Sequence, residues 1–140
     1  MTGIETYLES DIARLIKPKQ KTLSGIVFIN MAYINARYLS GMQAGIKGNQ
    51  VEFVPLINLK SGLRLGYKNF KASFQFTYLS DQFTDATNAV DGGVSAVVGL
   101  IPSYYIMDAG ISYQYRRLKA ELTLNNLTNN MYFSRRATGY

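Results

Sequence analysis

Three carboxylates near the N-terminus are the first side chains whose types and spacing suggest chemistry. Glu5, Glu9 and Asp11 are separated by even numbers of residues within the run from Ile4 to Leu15, so an extended chain places all three on one face. Paired carboxylates can transfer protons or bind a cation. The solvated face of a strand explains the same pattern, and no other residue completes a catalytic pair. We therefore interpret them as polar-face residues.

The chain contains no Cys and no His. This absence excludes thiolate and imidazole metal sites, Cys nucleophiles and every catalytic triad that uses a His base. Most familiar enzyme chemistries are therefore removed. We expect no enzymatic activity, no metal site and no cofactor.

The formal net charge of +6 and the sequence pI of about 9.6 would suit a nucleic-acid-binding protein. The basic residues, however, fall in separate groups between strand-like runs and do not form one stripe. The groups are Lys17 with Lys19 and Lys21, Lys68 with Lys71, and Arg116 with Arg117 and Lys119. Because no basic surface interleaved with aromatic residues is present, a nucleic-acid module is the weakest interpretation, and we expect no nucleic-acid partner.

The clearest pattern in the chain has a period of two. From Phe70 to Tyr78, aromatic residues and Ala alternate with Lys, Ser, Gln and Thr, which predicts a strand with one apolar and one polar face. The run 57–66 repeats this alternation and is separated from the first by three residues only. The runs 105–116 and 118–125 form a second pair of the same kind. Each pair predicts a β-hairpin.

Two less regular runs, from Ile4 to Leu15 and from Ile26 to Tyr38, bring the prediction to six strands. At about 10 to 16 residues each, they exceed the roughly 5 to 6 residues of typical strands. The connections alternate between short ones, around Lys19, Lys68 and Arg117, and long ones, at 41–50 and 80–102. Outer-membrane barrels combine long strands with short periplasmic turns and long external loops. This interpretation places the basic groups at the periplasmic rim.

Alternation alone does not identify the face that contacts water, because a soluble lipocalin-like barrel has the same period with its apolar face inward. Strand length favours a membrane barrel, as do Tyr67, Tyr78, Tyr104 and Tyr115 near predicted strand ends, where interfacial aromatic residues lie. No apolar run approaches the roughly 20 residues of a transmembrane helix. The fold class expected is all-β, an antiparallel transmembrane barrel segment.

Several segments resemble TonB-dependent outer-membrane receptors. Residues 125–136, NNLTNNMYFSRR, are similar to the end of such receptors, where an Asn-Leu step precedes an aromatic pair. The ending RRATGY at 135–140 resembles the ferric-citrate and related siderophore receptors. The segments 3–5, 32–38 and 48–55 also look like barrel strands of that group.

The resemblance implies a barrel of about 22 strands, of which residues 1–140 would form the C-terminal part. The plug domain and the final strand are expected to be absent, so the chain is expected to be incomplete. The implied function is import of a ferric siderophore or ferric citrate-like chelate across the bacterial outer membrane. The implied partners are that chelate, the lipid of the outer membrane, and the TonB complex, which would act through the missing plug.

The resemblance also suggests where a chelate would bind. Arg135 and Arg136 follow a strand predicted to run outward, and Arg37 lies at the outer end of the second strand, so their guanidinium groups are candidates for contact with an anionic chelate. A structural role at the base of a loop is the competing interpretation for each. The alternative to a receptor segment is a complete small barrel of eight strands, either in the outer membrane or as a soluble ligand carrier.

Overall fold

The computed structural model describes residues 1–20, 22–41, 45–93 and 97–136. Lys21 of the first basic group and residues 137–140 of the receptor-like ending lie outside this part of the chain. The structure is all-β apart from one short helix. Its elements are β1 (Thr2–Asp11), α1 (Ile12–Ile16), β2 (Leu23–Asn35), β3 (Ile57–Tyr67), β4 (Phe70–Leu79), β5 (Gln82–Phe83), β6 (Leu100–Ile101), β7 (Tyr104–Tyr115) and β8 (Leu118–Leu124).

Six long strands form one open antiparallel sheet in the order β1-β2-β3-β4-β7-β8, and β5 and β6 form a separate two-stranded sheet. Because each strand pairs with the next long strand in the chain, successive connections lie at opposite edges. The connections 12–22, 68–69 and 116–117 lie at one edge, which we call the short-turn edge. The connections 36–56 and 80–103 lie at the other, the long-loop edge, where residues 125–136 also follow β8.

The six predicted long strands and both hairpins are confirmed, and the largest corrections concern the bounds of the first two strands. The first strand ends at Asp11 and does not continue to Leu15. The Asp11 side chain accepts a hydrogen bond from the Arg14 backbone N–H at 3.1 Å and so caps a helical turn. The second strand begins at Leu23 and ends at Asn35, three residues earlier at each end than predicted.

The pairing register divides the side chains of the long strands between two faces, because residues opposite each other in an antiparallel pair lie on the same face. The apolar face carries none of the charged side chains of these six strands, all of which are fully described. All nine charged side chains lie on the polar face: Glu5, Glu9, Asp11, Lys60, Arg64, Lys71, Asp108, Lys119 and Glu121.

Aromatic side chains lie near both ends of the apolar face. Close to the short-turn edge, the register aligns Tyr67 with Phe70 and Phe70 with Tyr113. Near the other edge it aligns Tyr78 with Tyr105. The ten steps along β3 measure about 33 Å, and a tilt of about 40° would leave a height of about 25 Å, the height of the apolar band of outer-membrane barrels.

The sheet has almost no dry core. Among the described residues, the buried hydrophobic side chains are Ala36, Ile46 and Ile101, all at or beyond the long-loop edge. Ile4 and Leu8, on the apolar face of β1, are 65% and 69% exposed. The hydrophobic side chains of the apolar face are therefore not packed in an interior. No helix of the described chain is long and apolar enough to cross a membrane.

The polar face borders an open concavity of about 750 Å³. An ion pair crosses it near β1, where Arg64 on β3 binds Glu9, which also accepts a hydrogen bond from the Tyr7 hydroxyl. The Arg64 guanidinium lies over the ring of Phe28 on β2, with Cζ 5.2 Å from the ring centroid. Three strands are thus connected through their side chains as well as through their backbones.

Gly62 lies close to both a backbone oxygen and an aromatic ring, and its substitution tests the packing. A Cβ at Gly62 would lie 2.6 Å from the Phe74 carbonyl oxygen and 2.6 Å from Cε1 of Phe28. Because the backbone oxygen cannot move away, we expect Gly62→Ala to lower the free energy of unfolding by about 1 to 3 kcal/mol. Urea unfolding in detergent micelles, followed by circular dichroism, measures the change.

Gly66 provides the matched control on the same face of the same strand. A Cβ there would meet the Ser24 side chain only, and the Ser24 hydroxyl can rotate to another rotamer. We expect Gly66→Ala to cost less than about 1 kcal/mol. Equal losses for the two variants would show that the contact between Gly62 and Phe28 does not limit the packing.

Candidate functional site at the long-loop edge

Three segments meet at the long-loop edge: loop A (36–56), loop B (80–103) and the C-terminal segment (125–136). Loops A and B are joined by reciprocal hydrogen bonds. The Asn88 side chain accepts from the Gln50 backbone N–H at 2.7 Å and donates to the Gln50 carbonyl at 2.9 Å. It therefore occupies both backbone groups of Gln50, as a neighbouring strand would.

Two further hydrogen bonds hold loops A and B together. The Asn49 side-chain amide donates to the Ala86 carbonyl at 2.9 Å, and the Phe53 backbone N–H donates to the Phe83 carbonyl at 2.9 Å. These contacts fix several points of loop A against loop B. The two long loops therefore form one continuous, hydrogen-bonded surface at this edge.

Loop B is also closed upon itself. The short strands β5 and β6 pair Phe83 with Leu100, and the Thr84 hydroxyl both accepts from the Gly99 N–H, at 2.8 Å, and donates to the Gly99 carbonyl, at 3.0 Å. The carboxylate of Asp85 accepts hydrogen bonds from the backbone N–H and the hydroxyl of Thr87. Asp85 thereby fixes the turn that carries Asn88.

The C-terminal segment lies along the end of β7. The Leu127 N–H donates to the Met107 carbonyl at 2.8 Å, and the Asn126 N–H donates to the Asp108 carboxylate at 2.9 Å. The Asn126 side chain donates to the Asn130 carbonyl and accepts from the Asn130 N–H, each at 3.0 Å. The Asn-rich run that carries the receptor resemblance therefore forms a local turn at the edge of the sheet.

The three predicted arginines all belong to this edge, but their surroundings differ. Arg37 donates to the Asn35 side chain at 3.1 Å and to the Gly48 carbonyl at 2.8 Å. Arg136 donates twice to the Leu100 carbonyl, at 3.1 and 2.8 Å, and lies over the ring of Phe133. Both arginines therefore hold loop backbone, which is the structural role that competes with ligand contact. Arg135 is exposed.

The N-terminal carboxylates do not converge on one site. Glu9 pairs with Arg64, and Asp11 caps α1 and pairs with Arg14 at 3.3 Å. Glu9 and Asp11 are thus each explained by a structural contact. Among the described residues, no three Asp or Glu side chains are grouped so that they could hold a metal ion.

The pattern of the sequence did not reveal the contact of Tyr38 with Glu52 inside loop A. The Tyr38 hydroxyl donates to the Glu52 carboxylate at 2.5 Å. This hydrogen bond raises the pKa of Tyr38 above its usual value, and partial desolvation and the negative charge of Glu52 act in the same direction. The two residues are 14 positions apart, and neither period two nor a known motif relates them.

The open antiparallel sheet, with one face free of charge and the other polar, is the fold of a segment of a β-barrel wall. Comparison with solved structures supports this class. The structure of the ferric citrate transporter FecA in its unliganded form is similar, with a TM-score of 0.82 and 22% sequence identity. The match covers 94% of this chain and 20% of that one, so the chain spans about a fifth of the transporter's length. No model of a known protein family matches the sequence.

Asn88 offers a direct test of how the two loops are joined. Its φ of 56° is left-handed, so Asn88→Gly removes the side chain without straining the turn. We expect the Gln50 amide to exchange with solvent roughly fivefold faster, because a hydrogen bond worth about 1 kcal/mol is lost. Hydrogen exchange in detergent micelles measures the rate.

The matched variant Asn88→Asp keeps an oxygen that can accept from the Gln50 N–H but turns a second acceptor toward the Gln50 carbonyl. Exchange at Gln50 should therefore rise less than in Asn88→Gly, because the bond to its N–H remains. If Asn88→Gly left the exchange rate unchanged, the clamp on Gln50 would not hold loop A.

Proposed function

We propose that this chain forms part of the barrel wall of a TonB-dependent outer-membrane receptor that imports a ferric siderophore or ferric citrate-like chelate. The observation that carries the proposal is the likeness to the ferric citrate transporter over 94% of the chain. The charge-free apolar face supports a position in lipid, because lipid-facing positions in outer-membrane barrels disfavour charge. In this proposal residues 1–140 are the C-terminal part of the barrel.

The long-loop edge is the proposed outer surface, where the chelate would first meet the receptor. Arg135 is the most direct candidate for contact with an anionic chelate, since its side chain is exposed. Arg37 and Arg136 would act from fixed positions, because loop carbonyls already orient their guanidinium groups. Coupling to the TonB complex would pass through a plug domain inside the barrel and would not involve the wall directly.

The alternative of a complete eight-stranded barrel requires the first and last long strands to pair. In the described chain, β1 and β8 lie at opposite ends of a six-stranded order. The two additional strands, β5 and β6, pair with each other within loop B and do not extend the sheet. The receptor segment is therefore the better account of the strand order.

Substitutions on the two faces of β4 test the position in lipid. Phe74 lies on the apolar face, opposite Leu63 and Ala109, so Phe74→Arg would place a charge in the hydrocarbon layer. We expect a loss of about 2 to 4 kcal/mol in the free energy of unfolding from lipid vesicles. Its neighbour Gln75 lies on the polar face opposite Asp108, so Gln75→Arg should change little. Equal losses would contradict the assignment of the faces.

A hybrid receptor tests the proposed function. The matching segment of the ferric citrate transporter would be replaced by this chain, and ferric citrate uptake would be measured in cells that lack their own receptor. We expect uptake above that of cells without a receptor.

We also expect an impermeant maleimide to label Thr87→Cys in loop B, but not Gln20→Cys at the short-turn edge.

Uptake and labelling test different parts of the proposal. Labelling of Gln20→Cys alone would invert the proposed orientation. Labelling of Thr87→Cys without uptake of any ferric chelate would leave a correctly inserted wall and would reject the transport role. A hybrid that never reaches the outer membrane, beside a parent transporter that does, would reject the wall assignment itself.

A further inference from the structure

The two edges of the sheet differ in charge. In its described part, the short-turn edge (11–23, 67–70 and 115–118) carries six basic side chains and one carboxylate, Asp11, which is paired with Arg14 at 3.3 Å. The six are Arg14, Lys17, Lys19, Lys68, Arg116 and Arg117. The described part of the long-loop edge carries four basic and four acidic side chains. The excess positive charge is therefore concentrated at one rim.

The two shortest turns place a cation where the backbone favours glycine. Lys68 and Arg116 are each the first residue of a two-residue turn, with φ of 53° and 52°. Glycine adopts this left-handed conformation without steric penalty, whereas a residue with a long side chain does not. Strain of the same kind at equivalent positions of two hairpins suggests that the positive charge at these turns has a function.

Each of these cations is held beside an aromatic ring at the boundary of the apolar face. The Lys68 Nζ lies 5.4 Å from the ring centroid of Tyr67, and the Arg116 Cζ lies 5.4 Å from that of Tyr115. Both tyrosines lie on the apolar face. A cation in this position lies where acyl chains end and headgroups begin when the apolar face contacts lipid.

The helix α1 extends the same boundary. Leu15 and Ile16 are 75% and 76% exposed, and Lys17 and Lys19 lie within the next three residues. Exposed apolar side chains next to cations are the pattern of segments that lie in a membrane interface. The first connection therefore provides the same combination of groups as the two shorter turns.

We infer that the short-turn edge binds the headgroup phosphates of an anionic phospholipid leaflet, of the phosphatidylglycerol type. The inference rests on the proposed position in a membrane and adds the lipid class to it. A zwitterionic headgroup offers no net charge to the six cations, whereas an anionic leaflet attracts basic residues near its surface. Bound phosphates would offset the repulsion among cations that the folded sheet brings to one rim.

Vesicle binding tests the inference with the 140-residue chain. The chain is diluted from urea onto vesicles of phosphatidylcholine, or of phosphatidylcholine with phosphatidylglycerol, and the bound fraction is measured by flotation across a lipid titration. We expect tighter partitioning onto the anionic vesicles. This preference should fall as salt is raised, because exposed charges are screened.

The double variant Lys68→Gly and Arg116→Gly separates lipid binding from folding, since glycine favours both turns. We expect its preference for anionic vesicles to fall roughly 30-fold at low salt, which corresponds to about 1 kcal/mol for each cation. The control Lys47→Gln and Lys60→Gln also removes two cations, one from loop A and one from the middle of the polar face. It should retain the preference.

Each outcome of the vesicle experiment supports or rejects the lipid inference. Equal binding of the unsubstituted chain to both kinds of vesicle would overturn the lipid inference while leaving the membrane position intact. Binding to neither would reject the membrane position and the inference together. Equal losses in the double variant and the control would show that overall charge attracts the lipid and that the short-turn edge does not.

Discussion

The antiparallel register is the constraint on which the rest of this structure depends. It places all nine charged side chains of the long strands on one face and leaves the other free of charge. A slip of one residue in β3 would turn Lys60 and Arg64 onto the apolar face. The close contact of Gly62 with Phe28 and the ion pair of Arg64 with Glu9 hold three strands against such a slip.

The same register determines the character of the two edges. Successive hairpins alternate in direction, so the tight turns gather at one rim and the long loops at the other. Each turn of two residues begins with a cation that lies beside the ring of the preceding tyrosine. The long loops bind one another through side-chain amides such as that of Asn88, beyond the point where the pairing of β3 with β4 ends at Asn58 and Leu79. The difference in chemical character between the short-turn edge and the long-loop edge thus follows from the strand order.

The sequence predicted the six long strands because period two is set by each residue and its immediate neighbours. Contacts between distant parts of the chain left no such signal. One local signal was also missed: the alternation suggested continuation to Leu15, but the Asp11 side chain caps the Arg14 N–H three residues further on, and the chain turns into a helix. Arg37 and Arg136 lie at the long-loop edge. Their bonds to Gly48 and Leu100 depend on loop packing that no local pattern encodes.

Arginines of the two regions are suited to different tasks. Arg64 is paired with Glu9, so its charge is compensated and it holds neighbouring strands together. Arg37 is oriented by the Asn35 side chain and the Gly48 carbonyl, two groups without net charge. A guanidinium held this way keeps its charge and has already lost side-chain freedom, so an anion would bind it at a smaller entropic cost. On the proposed function, fixing a loop and presenting a charge to a chelate are therefore compatible roles for Arg37.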